Sequence, residues 1–230
     1  MLKIMLDAGH GQFENQSPRD KSFFEGTNNY LFALALKREL EKYEDVVVFL
    51  TRNEISENPS LEQRGELAVE NNCDVFFSIH SNANANPLAY GVEGFYSVHT
   101  PAAKGLLEGL CNAARINLPK SKVRKVTTKK RNDTDYYAVL RHSKGVKYSM
   151  LIELGFHSNT KELACIRLEE WHNVVAELQA RVFSDFFDLV KKSDVQYNVI
   201  CKGFKRAAEA VGFADLAREH GYKVEIEEVS

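Results

Sequence analysis

The stretch Leu2-Lys3-Ile4-Met5-Leu6-Asp7-Ala8-Gly9-His10-Gly11 opens the chain with a mostly apolar run that stops at a glycine-rich turn. A short apolar run bounded by a turn predicts a strand that is buried on both faces, as in a parallel sheet. The turn presents His10 directly after the end of this strand. Because α/β proteins place their sites at the carboxyl ends of parallel strands, the segment predicts a fold class and one residue of a functional site.

The next 180 or so residues repeat this alternation of strands and helices. Strands are predicted over residues 46–51, 75–80, 91–98 and 148–154, and helices over residues 28–43, 60–71 and 101–116, with further helices after the last strand to about residue 192. Ser60 and Gln63 form a capping-box pattern at the start of the second helix. The alternation predicts an α/β fold, in which helices flank both faces of a mostly parallel twisted sheet of the phosphorylase/hydrolase-like kind.

Two further segments carry local predictions. The last helix has an apolar stripe, which predicts its buried face, made of Val174, Leu178, Val182, Phe186 and Leu189. Residues 120–137 are polar and show no period, which predicts a long loop. The basic cluster from Lys120 to Arg131 within it is either a solvated surface or the wall of a substrate groove.

Three separate segments carry residue types that bind zinc, namely His10, Glu25 and His80. Two imidazoles and one carboxylate leave the fourth position of zinc open to water, which is the arrangement of a hydrolytic site. Glu153 interrupts the apolar run of residues 150–154, where a carboxylate is costly to bury unless it is paired, protonated or catalytic. Such a carboxylate is suited to take a proton from water.

Other residues compete for these roles. Glu14 is the alternative carboxylate ligand in the first loop, and His157 is the spare imidazole. Glu25 is preferred over Glu14 because the helix behind it would hold it in position. Asp7 either orients a metal ligand or caps the turn, and the alternative for Glu153 is an ion pair with a buried arginine.

The charge balance and the terminal segments exclude several functional classes. The 30 basic and 32 acidic residues give a formal net charge of −2, which argues against a nucleic-acid partner bound through its phosphates. No apolar stretch is long enough for a membrane span, and the first residues are too short for a signal-peptide core. We therefore expect synthesis in the cytoplasm without a signal peptide and without membrane insertion.

The last residues predict a second, smaller domain. After a catalytic domain over residues 1–192, residues 194–230 show a strand, a helix over 205–220 and a second strand. This βαβ-like unit is too small to bury a good core alone.

In order and spacing, the motifs of residues 2–190 resemble those of the zinc-dependent N-acetylmuramoyl-L-alanine amidases of the amidase-3 type. The matching segments are residues 7–11, Glu25 with Asn28, 50–52, 60–64, 77–83 and 153–159. The resemblance implies that His10, Glu25 and His80 bind one zinc ion, that Glu153 is the catalytic carboxylate, and that Asn82 and Arg141 contact substrate. The family commonly has proline in place of Ala8 and glycine in place of Gln12, and neither position is a ligand.

The implied reaction is hydrolysis of the bond between N-acetylmuramic acid and L-alanine in bacterial peptidoglycan. The alternatives are a zinc carboxypeptidase or endopeptidase acting on the peptide stems, and a non-catalytic peptidoglycan-binding protein. An enzyme of the wall without a signal peptide suggests a phage endolysin released through a holin-type membrane lesion, or a lytic enzyme freed from the mother cell during sporulation. The compact size favours the endolysin.

The tail over residues 194–230 is similar to one half of a SPOR peptidoglycan-binding domain. This similarity implies either binding to the wall or a homodimer in which two chains pair their halves. The alternative is a simple extension packed on the catalytic domain.

Overall fold

The computed structural model describes residues 1–192 and, beyond them, the backbone of residues 199–200 and 224–225. The chain separates into two compact units, Met1–Lys191 and Lys192–Ser230. In chain order, the elements of the first unit are β1 (Leu2–Ala8), α1 (Glu25–Leu40), β2 (Val46–Leu50), α2 (Leu61–Glu70), β3 (Val75–Asn82), β4 (Val92–Tyr96), α3 (Ala103–Arg115), β5 (Val123–Thr127), β6 (Lys130–Arg131), β7 (Thr134–Asp135), α4 (Ala138–His142), β8 (Tyr148–Phe156), α5 (Thr160–Ile166) and α6 (Glu169–Phe187).

A six-stranded sheet forms the centre of the first unit, with the strand order β2-β1-β3-β8-β4-β5. The first four of these strands are mutually parallel, whereas β4 is antiparallel to β8 and pairs in parallel with β5. A strand that runs parallel to the one before it needs a crossover connection of a dozen or more residues. Residues 83–91 between β3 and β4 are too few for such a connection, so β4 runs in the opposite direction. The mostly parallel sheet and its flanking helices confirm the predicted α/β class.

Helices cover both faces of this sheet. The larger core lies on the face covered by α1, α3 and α6, and it contains Phe32, Phe77 and Phe183, all 0% exposed. The smaller core lies under α2 and α4 and contains Phe76 and Leu151. Adjacent residues of a strand point to opposite faces, which is why Phe76 and Phe77 enter different cores.

The sequence predicts the start of α2 correctly, but it predicts the start of α1 too late in the chain. Ser60 and Gln63 form the predicted capping box at the start of α2. In contrast, α1 begins at Glu25 rather than at residue 28 and ends at Leu40. Gly26 in the first turn of α1 has a low helix propensity, which favours a later start of this helix. A β-carbon on Gly26 would lie 1.8 Å from the carbonyl oxygen of Gly11, so this close approach selects glycine there.

The predicted buried stripe of α6 is wrong in part, since Val182 and Leu189 pack against the larger core but two other members are exposed. Val174 is 46% exposed and Phe186 is 38% exposed. Four residues exceed one helical turn by about 40°, so a run spaced by four residues turns away from a single face. The buried face of α6 includes polar members and is made of Trp171, His172, Val175, Ala176, Gln179, Ala180 and Phe183.

The prediction of a long loop over residues 120–137 is also wrong. The segment forms β5 at the edge of the sheet and then the small hairpin of β6 and β7. Arg124, Lys125 and Thr127 of β5 are exposed. Charged side chains are typical of an edge strand, since they discourage pairing with other chains, and they hide the apolar periodicity that would have indicated a strand.

The second unit is described only by two short strands. β9 (Val199–Ile200) and β10 (Val224–Glu225) pair in parallel. The predicted helix over residues 205–220 lies outside the described residues. Among the helices that the structure does describe, none has the length and apolar character required to cross a membrane.

Candidate active site

His10 is held by its backbone in the loop that follows β1. Its φ of +65° lies in the left-handed region, which is uncommon for a residue with a β-carbon. Two arginines that are almost fully buried donate to its carbonyl oxygen, Arg52 at 2.8 Å and Arg64 at 3.1 Å. These contacts stabilise the turn that directs the imidazole of His10 toward the centre of the site.

Asp7 stabilises this turn through buried side-chain hydrogen bonds. Its carboxylate is 0% exposed and accepts hydrogen bonds from Thr51 and Ser78, each at 2.7 Å, and from Arg64 at 2.8 Å. Burial alone would raise the pKa of Asp7, but the charge and hydrogen bond of Arg64, with the bond from Ser78, hold it below 3.8. Asp7 on β1 therefore joins β3, α2 and the residue that follows β2, and its described hydrogen bonds include none to a histidine.

Glu25 lies between two imidazoles at the first residue of α1. It is 1% exposed, with Oε1 at 3.1 Å from Nδ1 of His80 and Oε2 at 3.4 Å from Nε2 of His10. The backbone N–H of Ser81 also donates to Oε1 at 2.9 Å, and the Asn15 amide donates to Oε2. Donor atoms of His10, Glu25 and His80 all lie within 4.8 Å of one another.

The charges within this group depend on one another. Burial would raise the pKa of Glu25, but the hydrogen bond and charge of His80, with the charge of His10, lower it to about 2. Burial would lower the pKa of His80, but Glu25 raises it to about 9. Burial lowers the pKa of His10. A buried carboxylate that faces two imidazoles is a donor set of the type that zinc takes, so these residues form a possible metal site.

The competing residues lie at the margin of this group. Glu14 is 51% exposed, and its carboxylate accepts from the N–H of Gly11 and from Asn58. His157 is 0% exposed, with Nδ1 at 2.9 Å from the Ser81 hydroxyl and 3.9 Å from Oε2 of Glu25. Glu14 therefore stabilises the loop, and His157 lies next to Glu25 but outside the group of three donors.

Glu153 lies beside this group on β8, in register with His80 on β3. Its Oε2 is buried and has no hydrogen-bond partner among the described residues. Burial raises the pKa of Glu153 to about 8, although His80 opposes the shift. No arginine forms an ion pair with it within residues 1–192, which argues against the alternative role considered above. A carboxyl group with a pKa near neutrality is suited to transfer protons.

Glu93 on β4 is a residue of this site that the sequence predictions missed. It is 6% exposed and is the register partner of Glu153. Its carboxylate accepts from Nε of Arg124 at 2.7 Å and from the amide of Asn82 at 3.2 Å, and Nζ of Lys125 lies at 3.4 Å. The signal was available, because Glu93 interrupts an apolar predicted strand as Glu153 does.

The two predicted substrate contacts lie on different sides of this site. Asn82 at the end of β3 donates to Glu93, which orients its amide. Arg141 in α4 donates through Nη1 to the carbonyl oxygens of Asp135 and Tyr136, both at 2.8 Å. Arg141 thus braces the hairpin of β6 and β7, and both substrate contacts stay predictions.

An open cavity of about 260 Å³ adjoins the site. His10 and His80 form one of its walls, and Leu61 of α2 and Val139 of α4 line another. A substrate that reaches His10 and His80 therefore has room beside them.

Comparison with known proteins identifies the reaction. Residues 4–182 match the family model of the N-acetylmuramoyl-L-alanine amidases. The chain belongs to this family. A curated relative, the N-acetylmuramoyl-L-alanine amidase CwlM of Bacillus licheniformis, is 27% identical over 225 residues, which are 96% of this chain and 83% of the relative.

Solved structures of such amidases share the fold. The N-acetylmuramoyl-L-alanine amidase of Clostridium difficile 630 is 26% identical, with a TM-score of 0.71 over 81% of this chain and 97% of that one. The catalytic domain of CwlV from Bacillus (Paenibacillus) polymyxa var. colistinus shows the same fold at 24% identity, with a TM-score of 0.69 over 82% and 99% of the two chains.

The family and the curated relative confirm the predicted activity. This amidase hydrolyses the amide bond between N-acetylmuramic acid and L-alanine, and its substrate is peptidoglycan. The two rival predictions, a stem-peptide protease and a non-catalytic binding protein, are not needed to account for the site.

Proposed function

We propose that this amidase is zinc-dependent, that His10, Glu25 and His80 hold the ion, and that Glu153 transfers the protons of the reaction. One observation carries the proposal. An almost fully buried carboxylate faces two imidazoles, and the three donors lie within 4.8 Å of one another at the carboxyl ends of β1 and β3. One carboxylate and two imidazoles are donors that zinc binds, and three protein ligands leave one position of zinc open.

Each residue then has a defined role. Bound zinc supplies Lewis acidity, which polarises a scissile carbonyl group and lowers the pKa of water. Glu153 accepts the proton of the attacking water at its unpartnered Oε2 and later delivers a proton to the departing amine of L-alanine. Asn82, held by Glu93, presents its amide beside the reacting groups. The backbone contacts of Arg52 and Arg64 keep His10 in its ligating conformation.

The roles of Glu153 and His80 are separable by experiment. Glu153→Gln keeps the size of the side chain and removes its basicity, so we expect full zinc content and a loss of hydrolysis of at least a hundredfold. His80→Ala is expected to lose both zinc and hydrolysis. His99→Ala, at an exposed histidine away from the site, is the matched control and is expected to keep both.

Zinc content is measured on the purified protein, and hydrolysis by the loss of turbidity of purified walls. Mass spectrometry of the digest identifies the bond, since an amidase frees the amine of L-alanine and leaves the glycan intact. Near wild-type hydrolysis by Glu153→Gln would contradict its role. Wild-type zinc content in His80→Ala would contradict the ligand set.

The activity places the site of action at the cell wall, and release as a phage endolysin or from a mother cell stays a prediction. The unit Lys192–Ser230 is proposed to bind the wall or to pair two chains. Sedimentation of the full chain tests the second role, since the proposed homodimer predicts twice the mass of 26.1 kDa. A monomer at all concentrations would exclude it.

A further inference from the structure

One edge of the sheet carries a concentration of positive charge beside the active site. Residues 120–131 contain seven basic residues and no acidic one. They form β5, the edge strand, and lead into the hairpin of β6 and β7. This segment, called here the cationic edge, consists in its charged part of Lys120, Lys122, Arg124, Lys125, Lys129, Lys130 and Arg131.

The cationic edge is joined to the reacting residues by the register of four strands. His80 on β3 pairs with Glu153 on β8, Glu153 pairs with Glu93 on β4, and Glu93 pairs with Lys125 on β5. Neighbouring strands lie about 4.8 Å apart, so the backbone of Lys125 is roughly 10 Å from that of Glu153. Lys125 approaches both Glu93 and, at 5.1 Å, the ring of Phe95, so it lies on the face that carries Glu153.

Most of this positive charge is not neutralised by the protein. Glu93 pairs with both Arg124 and Lys125, so one carboxylate serves two cations. Within residues 1–192, no carboxylate forms an ion pair with the other five basic residues. Lys129 instead lies 3.8 Å from the centroid of the Tyr136 ring, and an aromatic face restrains an ammonium group without cancelling its charge.

The aromatic contacts also place Lys129 next to the site. Lys129 lies over Tyr137 as well, at 5.3 Å from the ring centroid, and Tyr137 packs on Phe95 with 5.0 Å between ring centroids. Phe95 follows Glu93 by two residues on β4 and therefore shares its face. Lys125 and Lys129 thus present two ammonium groups on the Glu153 side of the sheet.

We propose that the cationic edge binds the free carboxylates of the peptide stem, so that the enzyme prefers acidic stems over stems whose carboxylates are amides. The inference rests on the proposed function, because it takes Glu153 as the position of the scissile bond. An extended peptide advances about 3.5 Å per residue, so roughly 10 Å corresponds to the first three residues of the stem. The carboxylates of the second and third residues are therefore the ligands within reach of Lys125 and Lys129.

Two matched substrates and three proteins test this inference. The substrates are N-acetylmuramoyl tripeptides that differ only in whether the stem carboxylates are free or amidated. The proteins are the wild type, the double variant Lys125→Gln/Lys129→Gln, and Lys104→Gln as a control. Lys104 is similarly exposed, at 53%, but belongs to α3 on the opposite face of the sheet. Glutamine at position 125 can still donate to Glu93, so the fold is preserved.

The measured quantity is the ratio of kcat/KM for the acidic substrate to that for the amidated one. Loss of charge-assisted hydrogen bonds predicts that the double variant lowers this ratio roughly tenfold, mainly through KM. The amidated substrate is expected to be cleaved by all three proteins, which verifies folding, and the ratio cancels any effect on catalysis that both substrates share. The control is expected to keep the wild-type ratio.

An unchanged ratio in the double variant, an equal loss on both substrates, or the same loss in Lys104→Gln would overturn the inference while leaving the proposed function intact. Failure of the wild-type zinc-loaded protein to cleave either substrate would instead overturn the proposed function, and the inference with it.

Discussion

Replacement of Arg64 by alanine is expected to destabilise the first unit by about 3 kcal/mol or more. The guanidinium group is 2% exposed and donates to the Asp7 carboxylate at 2.8 Å and to the carbonyl oxygens of Ala8 and His10 at 2.7 and 3.1 Å. Removing one partner of a buried ion pair costs about 3–5 kcal/mol, because the other charge stays buried and unpaired. Two hydroxyl groups remain on Asp7, which places the expected loss near the lower limit.

The variant Arg64→Lys tests the contribution of the positive charge separately from that of the donor geometry of the guanidinium group. Lysine keeps the positive charge opposite Asp7, but a single ammonium group does not reproduce the planar fork of donors. We expect an intermediate cost of about 1–3 kcal/mol, which corresponds to buried carbonyl groups left without a donor. The exposed Arg181, which pairs with Glu177, provides the control, since Arg181→Ala is expected to change stability by less than about 0.5 kcal/mol.

Urea unfolding followed by tryptophan fluorescence measures these differences. Trp171 is the sole tryptophan of the chain, is 6% exposed and lies in α6, so its fluorescence reports the first unit. A double-mutant cycle with Asp7→Asn isolates the coupling between the two side chains. A loss below about 1 kcal/mol for Arg64→Ala, or wild-type stability of Arg64→Lys, would show that Arg64 does not hold the turn as described.

Three further outcomes follow from close contacts and one buried charge. A β-carbon at Gly9 would lie 2.2 Å from Cε1 of His80, so Gly9→Ala is expected to displace the imidazole and weaken zinc affinity in calorimetry, and unchanged affinity would contradict this. Gly26→Ala would place a β-carbon 1.8 Å from the carbonyl oxygen of Gly11, so urea unfolding should show a loss of about 1–3 kcal/mol, and a stable variant would exclude the clash. Since the folded pKa of Asp7 is lowered below 3.8, its contribution is complete above pH 3.8 and is lost as the pH falls through the folded pKa. Acid titrations should therefore show a steeper loss of stability for the wild type than for Asp7→Asn, and parallel curves would contradict the assignment.

Much of the site can be predicted from the sequence because its residues lie where an apolar run ends or is interrupted. His10 follows an apolar run that ends in glycines, and His80 and Glu153 lie near the ends of two others. Since parallel strands bring these ends to one edge, their convergence was predictable without any knowledge of contacts. The structure places the donors of His10, Glu25 and His80 within 4.8 Å of one another.

Other features depended on neighbours that no local pattern identifies. The choice between Glu25 and Glu14 as the buried carboxylate follows from the start of α1 at residue 25, where Gly26 meets the backbone of Gly11. The exposed, charged side chains of β5 predict a loop, whereas the structure has a strand there because the segment pairs with β4. Glu93 interrupts its strand visibly in the sequence, but its contacts with Arg124 and Asn82, which come from two other strands, are not predictable locally.

The sequence by itself determined the α/β class and the ends of the central strands, and it indicated His10, His80 and Glu153 as candidate site residues at those ends. These properties follow from the period of apolar residues and from the cost of burying a carboxylate, both of which are local. Only the tertiary structure decided that Asp7 pairs with Arg64, that two arginines hold His10, and that the cationic edge lies in register with Glu153. Each of these depends on segments distant in the chain meeting at one place, and the energy of a buried charge is set by the neighbours it meets there.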